Sequence, residues 1–113
     1  MKKLLVLPIL LLFFVVTSCS SSSDDEVIIT SPNDVTYTGI IKAIIDSSCL
    51  NCHSDPPVSG APMSLTTYQD VKESVMNSDL IERVESGNMP QGGTPLTAAQ
   101  VQAIKDWEAG GFK

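Results

Sequence analysis

In the run Cys49-Leu50-Asn51-Cys52-His53, the residue types and their spacing suit a definite chemistry. Two thiols three positions apart at a helix end can add to the two vinyl groups of one porphyrin. The adjacent imidazole then reaches the iron from the same side. Five residues would thus supply both attachment and one axial ligand, which is the pattern of covalent haem attachment through Cys49 and Cys52 with His53 on the metal. Two rival chemistries use a similar thiol pair. Zinc normally takes four protein ligands, but this segment stops at three, since His53 is the only histidine and Cys19 the only other cysteine. A redox dithiol of the thioredoxin kind expects strands and helices in alternation around it, and no such alternation is present. The expected cofactor is one covalently bound haem c.

Helices must position these groups. Thr38 is placed to cap a first helix carrying Ile40, Ile41, Ile44 and Ile45, a paired i, i+4 stripe that ends at Asp46-Ser47-Ser48 and runs into Cys49. Pro56, Pro57, Gly60 and Pro62 make Ser54 to Ser64 a loop with limited flexibility. Thr66 and Gln69 have capping-box spacing for a second helix with Tyr68, Val71, Val75 and Met76 on it, where Met76 is expected in the core. A short helical turn after Ser78 carries Leu80, Ile81 and Val84 inward and stops at Gly87. Thr97 and Gln100 form a capping box for a last helix, with Leu96 and Val101 at the staple positions and Gly110-Gly111 at its end. Val101, Ile104 and Trp107 make one apolar strip that reads as core. Only Val27-Ile28-Ile29 suggests a strand, so the domain is expected to be all-α.

The start of the chain is an address. Met1-Lys2-Lys3 is basic, and Leu4 to Val16 is an uncharged apolar run interrupted only by Pro8, which is the pattern of an export signal. A transmembrane helix needs about 20 apolar residues, more than this run has. Val16-Thr17-Ser18-Cys19 resembles the lipobox of bacterial lipoproteins, which implies cleavage before Cys19 and lipidation of its thiol. Residues 1–18 are therefore expected to be a lipoprotein signal peptide. Residues 19–34, rich in serine and acid, would be a flexible tether, and residues 35–113 a single folded domain. Of the 113 residues, 42% are hydrophobic and the formal charge is −6. Losing Lys2 and Lys3 takes that charge from −6 to −8, which disfavours nucleic acid and anionic headgroups and favours basic partners. Once Phe13 and Phe14 go with the signal, four aromatic residues are left. So small a core calls for a staple, and a large apolar cofactor is one. The chain without haem is accordingly expected to be largely unfolded.

From about Val35 to Phe112 the chain resembles the small single-haem c-type cytochromes whose axial ligands are His and Met. The likeness rests on the isoleucine-rich helix before Cys49-Leu50-Asn51-Cys52-His53, on Ala61-Pro62-Met63-Ser64-Leu65, on Gly87-Asn88-Met89-Pro90, and on Leu96-Thr97 opening a helix that contains Trp107. The domain is shorter than many members of that family. The resemblance implies three to four helices wrapped around one covalently attached haem, with the first and last helices crossing so that Ile40 and Ile44 approach Ile104 and Trp107. It also implies that the Pro62 carbonyl accepts the proximal imidazole proton and that Leu65 belongs to the haem-binding residues. With no second histidine, the sixth ligand falls to a methionine. Met63 lies ten residues after His53 on the family's proximal side, whereas Met89 matches its Met-Pro motif, so Met89 is the expected ligand and Met63 the alternative.

The function implied is one-electron transfer by a membrane-anchored monohaem cytochrome, not an enzyme, with iron cycling between Fe(II) and Fe(III) while both axial positions stay filled. Redox proteins with basic docking patches are the expected partners, the chain is expected to be a monomer held to the membrane by its lipid anchor, and nucleic acid is not a partner. The expected location is the cell envelope, on the periplasmic side or at the outer membrane, since Ser20 rather than an aspartate follows Cys19. Two alternatives remain open here: a haem-based sensor or ligand-binding module, in which Met89 dissociates, and a non-haem lipid-anchored structural protein.

Overall fold

Thr36, two residues before the expected cap, starts the first helix. The computed structural model describes Ser31 and residues 34–113. The export segment, Cys19 and Val27-Ile28-Ile29 lie outside the described residues, as does all of the expected tether except Ser31 and Asp34. The Thr36 carbonyl accepts from both the Ile40 and the Ile41 N–H (3.1 and 3.4 Å), so the first turn is wide and Tyr37–Ile41 is π-helical. Its hydroxyl caps the Gly39 N–H at 3.2 Å. A Cβ on Gly39 would stand 2.7 Å from that oxygen, so glycine is what permits the cap. The helix then continues as α1, Lys42–Ser48.

Three further helices complete the described elements: α2 (Tyr68–Asn77), α3 (Leu80–Glu85) and α4 (Ala98–Ala109), with no strand among the described residues. The all-α expectation therefore holds. The capping box of α2 is Thr67 with Asp70, one residue later than the pair expected from spacing alone. That of α4 is Thr97 with Gln100, as expected, and Leu96 and Val101 are both buried beside it. Gly87, with φ near +76°, ends α3 where other residues would be strained.

The core is drawn from every helix. Tyr37–Ile41 packs on α4, and α3 packs on both α2 and α4. Ile41, Ile45, Val71, Ile104 and Trp107 are essentially inaccessible to solvent. Trp107 anchors an aromatic cluster, with ring centroids 4.9 Å from Phe112, 5.7 Å from Tyr37 and 5.8 Å from Tyr68. The Tyr68 and Phe112 rings meet Trp107 edge-on, and such pairs add about 0.5–1.5 kcal/mol beyond the area they bury, while the Tyr37 ring is tilted against it. The last residues stitch this cluster to the start of the first helix. The Lys113 carbonyl accepts from the Tyr37 N–H (2.7 Å) and from Trp107 Nε1–H (2.9 Å), and Tyr68 O–H donates to the Phe112 carbonyl at 2.7 Å. Both ends of the domain are thereby fixed beside the helix that leads into Cys49. No helix among the described residues is long and apolar enough to cross a membrane.

Candidate functional site

The turn that follows α1 keeps helical geometry for one more step. The Cys49 carbonyl accepts from the Cys52 N–H at 3.2 Å and from the His53 N–H at 2.9 Å. At positions i and i+3 the two cysteines share one face of that turn, with His53 one residue beyond. Both thiols are free and half-buried. Burial pushes the Cys49 thiol up to about 11, so at neutral pH it stays protonated. Dithiol redox centres depend on the opposite shift, toward a thiolate at neutral pH.

His53 is held on three sides. Its N–H is bound to Cys49, its carbonyl accepts from the Leu65 N–H at 2.8 Å, and its ring Nδ1 lies 2.8 Å from the Met63 carbonyl. A carbonyl can only accept, so Nδ1 carries a proton, and in the neutral imidazole Nε2 is then the nitrogen with the lone pair. That is the tautomer a metal-binding imidazole requires. The resemblance implied that Pro62 would supply this carbonyl; the structure assigns it to Met63, one residue on, and leaves Pro62 exposed. The bond from Leu65 to His53 sets the register, and buried Leu65 fixes it in the core.

Between these anchors the proline-rich loop folds on itself. The Val58 N–H reaches the Cys52 carbonyl (2.9 Å), the Ala61 N–H reaches the Val58 carbonyl (3.0 Å), and the Ser54 hydroxyl donates to the Pro56 carbonyl (2.9 Å). Beyond Met63, Asp70 gathers the chain into α2. Its carboxylate accepts from the Thr67 N–H at 3.0 Å and from the hydroxyls of Ser64 and Thr66, each at 3.4 Å. Hydrogen bonding from Thr67 above all, then from Ser64 and Thr66, holds the Asp70 carboxyl below its ordinary 3.8. A carboxylate with a lowered folded value supports the clamp fully above pH 3.8 and loses it as pH falls through that folded value. The NMR shift of the Thr67 amide should therefore titrate with a midpoint under 3.8, and a midpoint at or above 3.8 would contradict the clamp.

The methionines separate clearly. Met63 is half-buried, and its sulfur accepts a hydrogen bond from the Ser74 hydroxyl at 3.1 Å. The same residue's carbonyl stands at Nδ1, on the edge of the imidazole away from Nε2. Met89 is half-buried against the core, and its N–H donates to the Arg83 carbonyl of α3 at 3.0 Å. Met76, expected in the core, is instead 57% exposed. Val71, Ser74 and Val75 form the buried face of α2, and Met76 falls on the other side.

The structure thus brings Cys49, Cys52, His53, Met63 and Leu65 into one bonded unit and ties Met89 to α3. Cys19 lies outside the described residues. Sequence reasoning missed Ser74 and the part played by Met63. The usable signal was a serine at helical spacing within the apolar face Val71-Ser74-Val75. Among the described residues, no three or more His, Cys, Asp and Glu side chains come together as a group that could hold a metal ion. The chain matches no family model, no curated protein and no solved structure.

Proposed function

We propose that this chain is a one-electron carrier that holds a single haem c through Cys49 and Cys52, with His53 and Met89 as axial ligands. The observation that carries the reading is the bonded unit at Cys49–His53. Two free thiols share one face of a helical turn, and the adjacent imidazole has its Nδ1–H fixed on the Met63 carbonyl, which leaves Nε2 as the nitrogen to meet a metal. These residues fit the group. Cys49 and Cys52 would hold it through thioether bonds, the sulfur going to one vinyl carbon and the thiol hydrogen to the other, so that no oxidant or reductant would be consumed. Haem, once bound, supplies an iron that cycles between Fe(II) and Fe(III).

The chain's own residues set the conditions for that cycle. The Met63 carbonyl fixes the ring of His53 and the proton on its Nδ1. The Met63 sulfur is engaged by Ser74 and Met76 is exposed, which supports Met89 as the sixth ligand, and its thioether would favour the reduced state. With both positions filled, the site has no place for a substrate, so the chain acts through other proteins. The excess of acidic side chains directs it to basic patches on those partners, with association weakening as salt rises. A lipid on Cys19 would keep the domain at the cell envelope.

A haem stain of a denaturing gel tests the reading, using the exported full chain from a host that carries the attachment machinery. A stained band at the position of the chain is expected. A colourless band would leave the lipid-anchored structural alternative.

A further inference from the structure

Among the described residues Ser74 is the one buried polar side chain, with 4% of its surface exposed. It lies in the middle of α2, between Val71 and Val75 on the face turned to the core. A serine there usually returns its hydroxyl to the carbonyl four residues back. This hydroxyl instead donates to Met63 Sδ at 3.1 Å. An unpartnered hydroxyl at such a depth is costly, whereas alanine would carry no such liability. The Met63 sulfur removes that cost, and Met63 is also the residue whose carbonyl holds His53 Nδ1 at 2.8 Å.

We propose that Ser74 is a positioning residue for His53, acting through Met63. The hydroxyl pins the Met63 side chain from α2, and the backbone of Met63 is thereby kept at the orientation in which its carbonyl meets the imidazole. One residue thus receives α2 through its sulfur and passes the constraint to the ring through its oxygen. Neighbouring bonds leave little else for Met63 to do. The chain before it is closed by Ala61 on Val58, and the chain after it by Leu65 on His53. The consequence is electronic. A well-held Nδ1–H···O bond makes Nε2 a stronger donor and stabilises the oxidised iron, so loosening the bond raises the reduction potential.

This inference rests on His53 ligating haem. The test uses the full-length holo-protein with four variants: Ser74→Ala, Met63→Leu, the two together, and Ser74→Thr. Solvent exchange of the His53 Nδ1 proton is read by NMR in the reduced state, and the potential by titration. Ser74→Ala and Met63→Leu should each accelerate that exchange by about fivefold, the worth of one hydrogen bond, and shift the potential upward. The double variant should go no further than either single one, and Ser74→Thr should restore both readings. Unchanged exchange and potential, even with a lowered melting temperature, would make Ser74 a packing residue and overturn the proposal. Additive effects in the double variant would overturn it too. A wild-type chain without haem bands would overturn the haem reading along with it, whereas a haem-bearing chain indifferent to Ser74 would overturn this inference alone.

Discussion

Cys49→Ala combined with Cys52→Ala should abolish the haem-stained band of the denatured chain, because it removes both sulfur atoms that can form a bond surviving denaturation. Each single variant keeps one thiol on the helical turn and should keep a weaker stain. The substitutions themselves are mild. Both cysteines are half-buried, and truncating a side chain of this size at such a site costs less than about 2 kcal/mol. A larger loss of stability must therefore come from the missing group. A domain of this length supplies only a few kcal/mol from its own core. A covalently held group stays on the unfolded chain too, so it would stabilise folding through the apolar contacts and axial bonds that it makes only in the native state. The double variant should accordingly melt without a cooperative transition in circular dichroism. A sharp transition near the wild-type midpoint would show that the helices around Trp107 hold the domain without a cofactor.

Met89→Ala should bring the second large change. It should remove the weak near-infrared band of sulfur-ligated ferric iron, open the sixth position to carbon monoxide in the reduced protein, and lower the potential. The drop should be on the order of 0.1–0.3 V, within the roughly 0.8 V that axial ligands command. Met63→Leu should leave the near-infrared band in place. The Met63 sulfur is taken by Ser74, and its carbonyl is held against the Nδ1 edge of His53, away from the nitrogen that would ligate. Loss of the band in Met63→Leu and its retention in Met89→Ala would exchange the two roles. Rapid stoichiometric carbon monoxide binding by the wild-type chain would instead favour sensing over electron transfer.

What the sequence showed and what it hid divide along the distance over which each feature is decided. The box at Thr97 and Gln100 and the end at Gly110 are local hydrogen-bond patterns, and both stand where the spacing put them. The box of α2 was expected at Thr66 with Gln69 and stands at Thr67 with Asp70, a pair of the same spacing one residue on. Asp70 decides it by collecting Ser64 and Thr66 as well as Thr67, a convergence set by the path of the loop. Thr38 looked like the first cap, but the absence of a Cβ at Gly39 lets the Thr36 hydroxyl in and widens the turn. The carbonyl on His53 moved from Pro62 to Met63 because the bond between Leu65 and His53 fixes a register that composition does not encode. Ser74 was passed over because a lone serine in a helix reads as surface, and only the packing of the Met63 loop on α2 gives its hydroxyl a partner. The motif Cys49 to His53 was legible throughout, since its geometry is that of a single turn.

A potentiometric titration of the exported full-length protein, followed by its optical spectrum, bears most directly on the claim that Cys49 to His53 holds a haem. The expected result is a sharp low-spin spectrum in the reduced state that appears in one step, with a one-electron slope of about 59 mV per decade. A chain with no haem bands, or one that titrates only as a two-electron dithiol at about 30 mV per decade, would contradict it.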